Sequence, residues 1–322
     1  IGATFYVIGV GFLYAATGTL NMADMASRLV TLTGEAPVQV GFAFIVAGLG
    51  IKAAMFPLHG WLPGAYSFAP SLISVFLSAT ATKAAIYLLM RFMLDVFPPD
   101  AAFGEFFLTW VLAPLAATAA IVCSIQAMFE KEIRRMLAFS SVAQVGFILL
   151  GMSMATVAGV SAGLFYLMAH AILKSGMFMA LGGLAISLRA RSLADFTGVA
   201  RDAPWSAAAF GVGAASLVGA PLTMGFLAKW RLVEAGIAAG QLWIVAVIAI
   251  GSLLTLLYVG RMFEALFFRP PAPGAQRAQE APVGVLAPVW ILAGLSIWFG
   301  LDASLPEALA NAGAQALFGG TP

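Results

Sequence analysis

Five ionisable side chains occur inside long apolar stretches of the sequence, where such residues are rare. They are Lys52, Lys83, His170, Lys174 and Lys229. A lysine near the centre of a membrane helix costs about 2.5–3.5 kcal/mol on the insertion scale, so several of them indicate a function. Burial away from water disfavours the charged form of an amine, which can then take up and release protons near neutral pH. The pattern predicts a proton relay built from amines.

Two of these side chains share one helix face, because His170 precedes Lys174 by four residues. The 14 acidic residues, in contrast, fall in loops or at the ends of the apolar stretches. No carboxylate on a neighbouring stretch is therefore an obvious partner for the amines. We expect the histidine and the lysine to act together in the relay.

Each of these residues also has a simpler interpretation. A long lysine side chain can extend its amine to the membrane surface, and this alternative is strongest for Lys229, near a predicted helix end. His170 can be an interior histidine whose hydrogen bonds are satisfied. Polar side chains in membrane helices commonly bond neighbouring helices, so three others are assigned no role in the relay: Ser140, Ser141 and Gln144.

Two of the apolar stretches are interrupted close to a lysine. The first interruption, in IKAAMFPLHGWLP, contains Pro57 and Pro63. The second, in VGAPLTMGFLAKW, contains Gly219, Pro221 and Gly225. Secondary transporters use pairs of interrupted helices, contributed by inverted repeats, to build their transport pathway. Simple proline kinks at Pro57 and Pro221 are the alternative.

The elements that must position these residues are membrane helices. The 322 residues are 62% hydrophobic and 9% charged, with a mean hydropathy of +0.99, whereas a soluble domain has about 25% charged residues. We predict an all-α integral membrane protein, a polytopic bundle with one membrane domain at 1–300 and a short C-terminal tail at 301–322. Because about twenty apolar residues cross a bilayer, nine spans are predicted, near 1–20, 38–58, 70–94, 105–129, 136–155, 158–188, 204–236, 241–268 and 283–300.

Two further segments have predictable roles outside the bilayer. NMADMASRLVTLTGEAP, between the first two spans, is predicted to form a short interfacial helix, and the proline-rich stretch 269–282 is predicted to be a linker. The tail is predicted to be weakly helical. Cys123 is the single cysteine, so an intrachain disulfide and a metal cluster of several cysteines are excluded. No basic cluster interleaved with aromatic residues suggests nucleic-acid binding, and no cofactor or metal is predicted.

Loop charges predict the orientation in the membrane. Loops that follow even-numbered spans contain eight basic residues, whereas loops that follow odd-numbered spans contain little beyond Arg28. The eight are Lys131, Arg134, Arg135, Arg189, Arg191, Arg201, Arg269 and Arg277. The positive-inside rule places these loops in the cytoplasm. We therefore predict a bacterial inner-membrane protein whose chain start is cytoplasmic and whose C-terminus is outside.

Several stretches resemble a known family. IKAAMFPLHGWLPGAYSFAPS with TKAAIYLLMRF, then EIRRMLAFSSVAQVGFILLGM, LFYLMAHAILKSGMFMALGGL and GAPLTMGFLAKW, are similar to the antiporter-like proton-translocating subunits. These occur in respiratory complex I (subunits M, L and N), in membrane-bound hydrogenases and in Mrp-type cation/proton antiporters. The resemblance covers residues 1–300. Tyr66, where complex I subunits usually have histidine, is more similar to the Mrp D-type subunit.

The resemblance implies a fold of fourteen helices in two inverted five-helix repeats, with this chain starting at about the sixth helix and lacking the first five. By motif match, Lys52 would be the central lysine of the first half-channel and Lys83 the connecting lysine. His170 and Lys174 would continue the axis, and Lys229 would be the terminal lysine of the second half-channel. The glutamate that pairs with the central lysine in the family belongs to a helix upstream of this sequence, so a carboxylate from elsewhere is expected.

The first functional hypothesis is a subunit of a Mrp-type antiporter that exchanges protons for Na+ or another monovalent cation. The alternative is a proton-pumping subunit of complex I, the NADH:quinone oxidoreductase, or of a membrane-bound hydrogenase, with the redox centres on partner subunits. Two other hypotheses are weaker. A solute carrier for an anionic substrate would need helix N-termini around a roomy cavity, and a line of lysines with no second polar set argues against it. A purely structural membrane anchor does not explain the amines at mid-depth. In either main case the chain is a transport subunit without a catalytic centre of its own, with other membrane subunits and the lipid bilayer as partners.

Overall fold

The computed structural model describes residues 1–97, 102–188, 191–271 and 277–318, and these residues are almost entirely helical. The first eight helices are α1 (Gly2–Thr17), α2 (Met22–Leu29), α3 (Ala36–Ala53), α4 (Trp61–Phe68), α5 (Ser71–Phe76), α6 (Thr82–Arg91), α7 (Ala102–Phe106) and α8 (Ala113–Phe129). The others are α9 (Ile133–Ser153), α10 (Val157–Leu188), α11 (Val199–Asp202), α12 (Pro204–Val218), α13 (Met224–Ala238), α14 (Leu242–Phe263), α15 (Val283–Leu301) and α16 (Ser304–Leu317).

Shorter helical turns extend or connect these helices. Single turns of 3-10 helix occupy Leu58–Gly60 and Leu193–Phe196. Wider π-helical turns continue α5, α6 and α14 and precede α8, at Leu77–Ala81, Phe92–Val96, Glu264–Phe268 and Phe107–Leu112. Helices dominate because a membrane offers no water to the backbone, so each segment must satisfy its own peptide groups.

Seven helical stretches in the described ranges are long and apolar enough to cross a membrane, and α1 with α2, bent by 60°, makes an eighth if counted as one span. The predicted seventh span, 204–236, consists of two shorter helices, α12 and α13, which are separated at the predicted interruption. The prediction of an all-α polytopic membrane bundle is confirmed. The segment after α1 does form a helix, α2, as predicted.

Both predicted interruptions are present. The first separates α3 from α4, where Ala54 adopts a left-handed conformation with φ 55° and Pro57 follows. The second separates α12 from α13, where Gly219 has φ 95°, a conformation that glycine adopts without steric cost. The fold therefore contains two broken helices.

Helices α9 and α10 form the buried centre of the bundle. Nearly every side chain of α9 is buried, and α10 packs against α5, α9, α12, α13, α15 and α16. A helix covered on all sides has no solvent face, so its polar side chains must be inside the protein. This placement brings the polar residues of α9 and α10 to the centre.

Some predictions fall on residues outside the described ranges: Arg189, residues 272–276 of the linker and residues 319–322 of the tail. The rest of the tail forms α16, which packs on α10. Glu307 of α16 forms an ion pair with Arg231 of α13. The tail is thus helical, as predicted, and attached to the bundle.

Candidate functional site

Four of the five ionisable side chains singled out in the sequence are buried. Lys83, His170, Lys174 and Lys229 are each at most 7% exposed. In the part of the chain that the structure describes, none of them forms an ion pair with a carboxylate. Buried charges in membranes usually pair with one another or with backbone carbonyls. The three buried lysines are bonded to backbone carbonyls.

Lys83, at the start of α6, donates a hydrogen bond from Nζ to the backbone carbonyl of Ser78. Ser78 belongs to the π-helical turn Leu77–Ala81 that precedes α6, and π-helical turns often occur at functional sites. The Lys83 Nζ also lies 3.4 Å from the hydroxyl of Thr82, which is near the buried ring of Tyr66 on α4. This amine is therefore held by its own helix.

Lys174, near the middle of α10, is held by the neighbouring helix. Its Nζ donates to the carbonyl of Leu137 at 3.0 Å and to the hydroxyl of Ser140, both on α9. His170 lies one turn away on the same face of α10 and interacts electrostatically with both Lys174 and Lys83. Both ring nitrogens of His170 lack a hydrogen-bond partner among the described residues. The three residues form one polar cluster, at the place where the π-helical turn Leu77–Ala81 that precedes α6 packs against α10.

Lys229, on α13, is held at the second interruption. Its Nζ donates to the carbonyl of Val218, the last residue of α12, at 2.7 Å. The final carbonyls of a helix have no partner within the helix and form the negative end of its dipole, so they suit an ammonium group. The Nζ also lies 5.8 Å from the centroid of the Phe147 ring, within cation–π distance. The interruption creates the hydrogen-bond acceptor for this lysine.

A set of uncharged polar side chains lies between Lys174 and Lys229. Tyr166 of α10 donates from its hydroxyl to the side-chain carbonyl of Gln144 on α9. The buried Tyr258 hydroxyl of α14 lies close to Gln144 and to Ser140, which already bonds Lys174. These contacts extend the polar cluster along α9 as far as Phe147, whose ring centroid is 5.9 Å from that of Tyr166.

The sequence analysis named Ser140 and Gln144 without assigning them a role in the relay, and it did not single out Tyr166 or Tyr258, although two signals were present. Ser140 and Gln144 are four residues apart on α9, and Tyr166 precedes His170 by four on α10, so each pair shares a helix face. Tyr258 had no local signal, because only the packing of α14 against α9 brings its hydroxyl to Gln144.

Lys52 is a correction to the sequence analysis. It was predicted to be buried near mid-depth, but its side chain is exposed at the surface of the bundle. It lies in the last turn of α3, and its stem is beside Gly2 at the start of α1, the helix that covers this side of α3. No other described helix covers the amine. Lys52 therefore differs from the other four residues, which are buried, and it is not part of the cluster of Lys83, His170 and Lys174.

The residues of the first interruption have mixed environments. Pro57 is exposed in the connection between α3 and α4, and Pro63 is buried in the first turn of α4. Between them, the buried ring of His59 stacks on Phe56, and its Nε2 lies 3.9 Å from the Sγ of Cys123. This interruption packs an imidazole next to α8 and α9.

The second interruption depends on close packing. Pro221 is exposed, and Gly225 is buried in the first turn of α13. A Cβ added at Gly225 would lie 1.9 Å from the carbonyl oxygen of Ser216 in α12. Glycine at this position allows α13 to start directly against α12, which brings Lys229 to the Val218 carbonyl.

An ionic group follows Lys229 on α13, beside a cavity of about 250 Å³. Arg231 bonds both Glu234, at 3.1 Å, and Glu307 of α16. Ser161 of α10 and Asn311 of α16 complete the polar lining. Arg231 and Glu234 are the titratable groups nearest to Lys229 along α13.

A family model described as "NADH:quinone oxidoreductase/Mrp antiporter, TM" matches residues 1–255. NADH-quinone oxidoreductase subunit N of Desulforudis audaxviator is 41% identical over 302 residues, which cover 90% of this chain and 60% of the relative. The D subunit of a Na(+)/H(+) antiporter from Bacillus subtilis is 32% identical over 317 residues, which cover 98% of this chain and 64% of the relative. The chain thus spans about three fifths of the length of these relatives.

Among solved structures, a chain of the Mrp complex from Dietzia sp. superposes with a TM-score of 0.90 at 29% sequence identity. The match covers 98% of this chain and 66% of that one. The similarity therefore extends over all of the helices described above.

Proposed function

Because the chain belongs to the family of NADH:quinone oxidoreductase and Mrp antiporter transmembrane proteins, we propose that it conducts protons within a larger membrane assembly. The observation that carries the proposal is the cluster of Lys83, His170 and Lys174, continued through uncharged side chains toward Lys229. These amines are buried without carboxylate partners in the described residues. Such groups exchange protons more readily than lysines locked in ion pairs.

The proposed path runs from one helix to the next across the bundle. A proton moves among Lys83, His170 and Lys174, and then past Ser140, Gln144 and Tyr166 toward Lys229. Hydroxyl and amide groups can both donate and accept hydrogen bonds, so they can connect titratable groups. The Arg231 group and its cavity are the proposed outlet beyond Lys229. Lys52, at the surface, is proposed to be the contact of this path with a neighbouring helix.

The assembly is proposed to be of the Mrp type, in which proton movement is exchanged for Na+ or another monovalent cation. The similarity to the D subunit of a Na(+)/H(+) antiporter supports this proposal. The 41% identity to a NADH-quinone oxidoreductase subunit N equally supports a redox-driven proton pump. In both cases other membrane subunits are the partners.

Substitution of the connecting lysine tests the relay. Lys83→Met keeps the length of the buried stem and removes the amine, so the assembly should form normally while proton-coupled transport in vesicles falls to background. Arg277→Met removes an exposed cation of the linker after α14, so it is the matched control and should transport normally. Normal transport by a normally assembled Lys83→Met variant would contradict the relay.

The driving reaction is tested with the wild-type assembly in the same vesicles. A Na+ pulse that moves protons without any redox substrate supports the antiporter. Proton movement that requires electron transfer to a quinone, and that a Na+ pulse does not elicit, supports the pump. Both results are read with a pH-sensitive dye trapped in the vesicles.

Orientation in a bacterial inner membrane is part of the proposal, with the chain start inside and the C-terminus outside. Cys123 is buried, so the wild-type chain should label weakly with thiol reagents. A membrane-impermeant maleimide should label Arg277→Cys only in inside-out vesicles and Ser304→Cys only in right-side-out vesicles. The opposite pattern would reverse the orientation.

A further inference from the structure

A second cavity, of about 420 Å³, opens at the face of the bundle that the loop charges predict to be cytoplasmic. Its walls come from the connection between α8 and α9, the segment after α10 and the end of α14. The polar side chains that line it are Lys131, Ser192, Thr197, Arg261, Glu264 and Arg269. None of them belongs to the proposed proton path. Three cations and one carboxylate thus line the cavity, and the neighbouring carboxylate of Asp195 is bonded to the amides of Arg191 and Ser192.

The walls of this cavity are held by hydrogen bonds. An isolated antiparallel bridge joins Glu132 to Ser192, and the amide of Leu193 donates to the carbonyl of Lys131 at 2.8 Å. The carboxylate of Asp195 accepts from the amide of Ser192 at 2.8 Å and closes a capping box with it. The cavity is therefore formed before any ligand arrives.

Two of the three cations are not neutralised by a carboxylate. Arg269 pairs with Glu264 at 3.0 Å, at a site where both side chains are largely exposed. Arg261 donates to the backbone carbonyl of Met128. Lys131 is exposed and forms no ion pair in the described ranges. An anion can therefore be bound without breaking more than one exposed ion pair.

Two exposed aromatic residues lie close to two of the cations in the sequence. Phe129, two residues before Lys131, is 73% exposed, and Phe268, immediately before Arg269, is 76% exposed. Both aromatic side chains lie at the ends of membrane-spanning stretches. The surface thus combines a cationic cavity with exposed aromatic side chains at the ends of two membrane-spanning stretches, which matches an amphiphile better than a soluble anion.

We propose that this cavity binds the phosphate of an anionic phospholipid from the cytoplasmic leaflet, with the acyl chains against Phe129 and Phe268. Basic cavities between membrane helices on the cytoplasmic side recognise anionic headgroups, and arginine side chains bind phosphate oxygens in pairs. The hydroxyls of Ser192 and Thr197 supply the uncharged polar contacts to the headgroup. Inorganic phosphate has the same charged group but no apolar part to contact Phe129 and Phe268.

Native mass spectrometry of the delipidated full chain, titrated with phosphatidylglycerol or phosphatidylcholine, tests the proposal. Phosphatidylglycerol should be retained more strongly. Each surface cation contributes about fivefold to the binding of an anionic lipid, so Lys131→Gln with Arg269→Gln should weaken retention by about 25-fold. Arg277→Gln removes a cation from the same face but outside the cavity, and it should retain phosphatidylglycerol as the wild type does.

A variant that should increase phosphatidylglycerol retention is the control for a general loss of structure. Glu264→Gln removes the carboxylate from the cavity and frees Arg269, so phosphatidylglycerol retention should rise by up to about fivefold. Because Glu264 is exposed, this change should leave the thermal unfolding temperature in detergent unaltered. A rise in Glu264→Gln together with a fall in the double variant supports the site.

Three results would overturn the assignment. The first is equal retention of phosphatidylglycerol by wild type, double variant and Glu264→Gln. The second is equal retention of phosphatidylcholine and phosphatidylglycerol by the wild type. The third is displacement of phosphatidylglycerol by millimolar inorganic phosphate with full binding of phosphate alone, which would make the cavity a site for a soluble anion.

Discussion

The buried lysines use backbone carbonyls, rather than carboxylates, as hydrogen-bond partners. Lys83 bonds Ser78, Lys174 bonds Leu137 and Lys229 bonds Val218. A carbonyl accepts a hydrogen bond from a charged or a neutral amine, whereas a carboxylate favours the charged form. The amine can therefore gain or lose a proton while it keeps its position. This arrangement suits a relay better than a structural ion pair would.

His170 and Lys174 are predicted to act as one unit, because they share a face of α10 and interact electrostatically. Single and double alanine variants should show non-additive losses of proton transport. Coupled neighbours typically differ from additivity by about 0.5–3 kcal/mol, so the double loss should fall short of the product by about twofold to a hundredfold. Transport losses that multiply cleanly would show that the two residues act independently.

Tyr166 and Gln144 are predicted to connect Lys174 with Lys229. Tyr166→Phe should lower proton transport, and it should also destabilise the protein by about 1–3 kcal/mol because a buried carbonyl of Gln144 loses its donor. Tyr14→Phe, at an exposed tyrosine of α1, is the control and should change neither quantity.

The two effects of Tyr166→Phe are separated by a second substitution. Adding Gln144→Leu removes the unpaired carbonyl, so stability should recover while transport stays low. Thermal unfolding in detergent and proton uptake by vesicles are the two measurements. Recovery of both together would assign the pair a structural role only.

At the scale of the element, the interrupted helix α12–α13 depends on glycine at its packing contact. Gly225→Ala would place a Cβ 1.9 Å from the Ser216 carbonyl oxygen, so α13 must shift, at a cost of about 1–3 kcal/mol. Gly260→Ala in α14 meets nothing within 4 Å and should be neutral or stabilising by up to about 1 kcal/mol. Unfolding temperatures of the two variants in detergent give the comparison. Equal effects would mean that the contact does not hold α13 in place.

The short helical turn Leu193–Phe196 is predicted to lose its cap in acid. Burial raises the pKa of Asp195, but hydrogen bonds from the amides of Arg191 and Ser192 outweigh this and lower its pKa below the ordinary value of 3.8. The cap is therefore intact above pH 4 and is lost as the pH falls through the lowered pKa. Amide exchange of Arg191 and Ser192, corrected for its intrinsic pH dependence, should be constant from pH 7 to 5 and rise at lower pH. Asp195→Ala should remove this dependence.

At the scale of the whole molecule, the exposed position of Lys52 predicts a contact with another part of the assembly. An amine on an apolar helix surface favours a neighbouring carboxylate, which we expect from another helix of the assembly. Movement of that carboxylate would change the proton affinity of the amine. A structure of the assembled complex should show an Asp or Glu within about 6 Å of the Lys52 Nζ. If no carboxylate approaches that closely, this part of the transport hypothesis is wrong.

The sequence by itself determined the fold class, the two interruptions and the family. Apolar stretches of about twenty residues predict membrane helices, because unpaired peptide groups are too costly in lipid. Pro57 and Gly219 predict helix interruptions from local backbone preferences, and both interruptions were confirmed. The division of 204–236 into two short helices was also predicted, from Gly219, Pro221 and Gly225, and the separation of α12 from α13 confirms it.

Only the tertiary structure decided which polar residues meet. A four-residue spacing put His170 and Lys174 on one face, but the approach of Lys83 depends on how the turn Leu77–Ala81 before α6 packs against α10. The Tyr258 hydroxyl reaches Gln144 through contacts between residues more than a hundred positions apart, which no local pattern records. Lys52 looked equivalent to the other lysines because hydropathy measures the neighbours in sequence. Its exposure follows instead from which helices cover α3, and that is a property of packing.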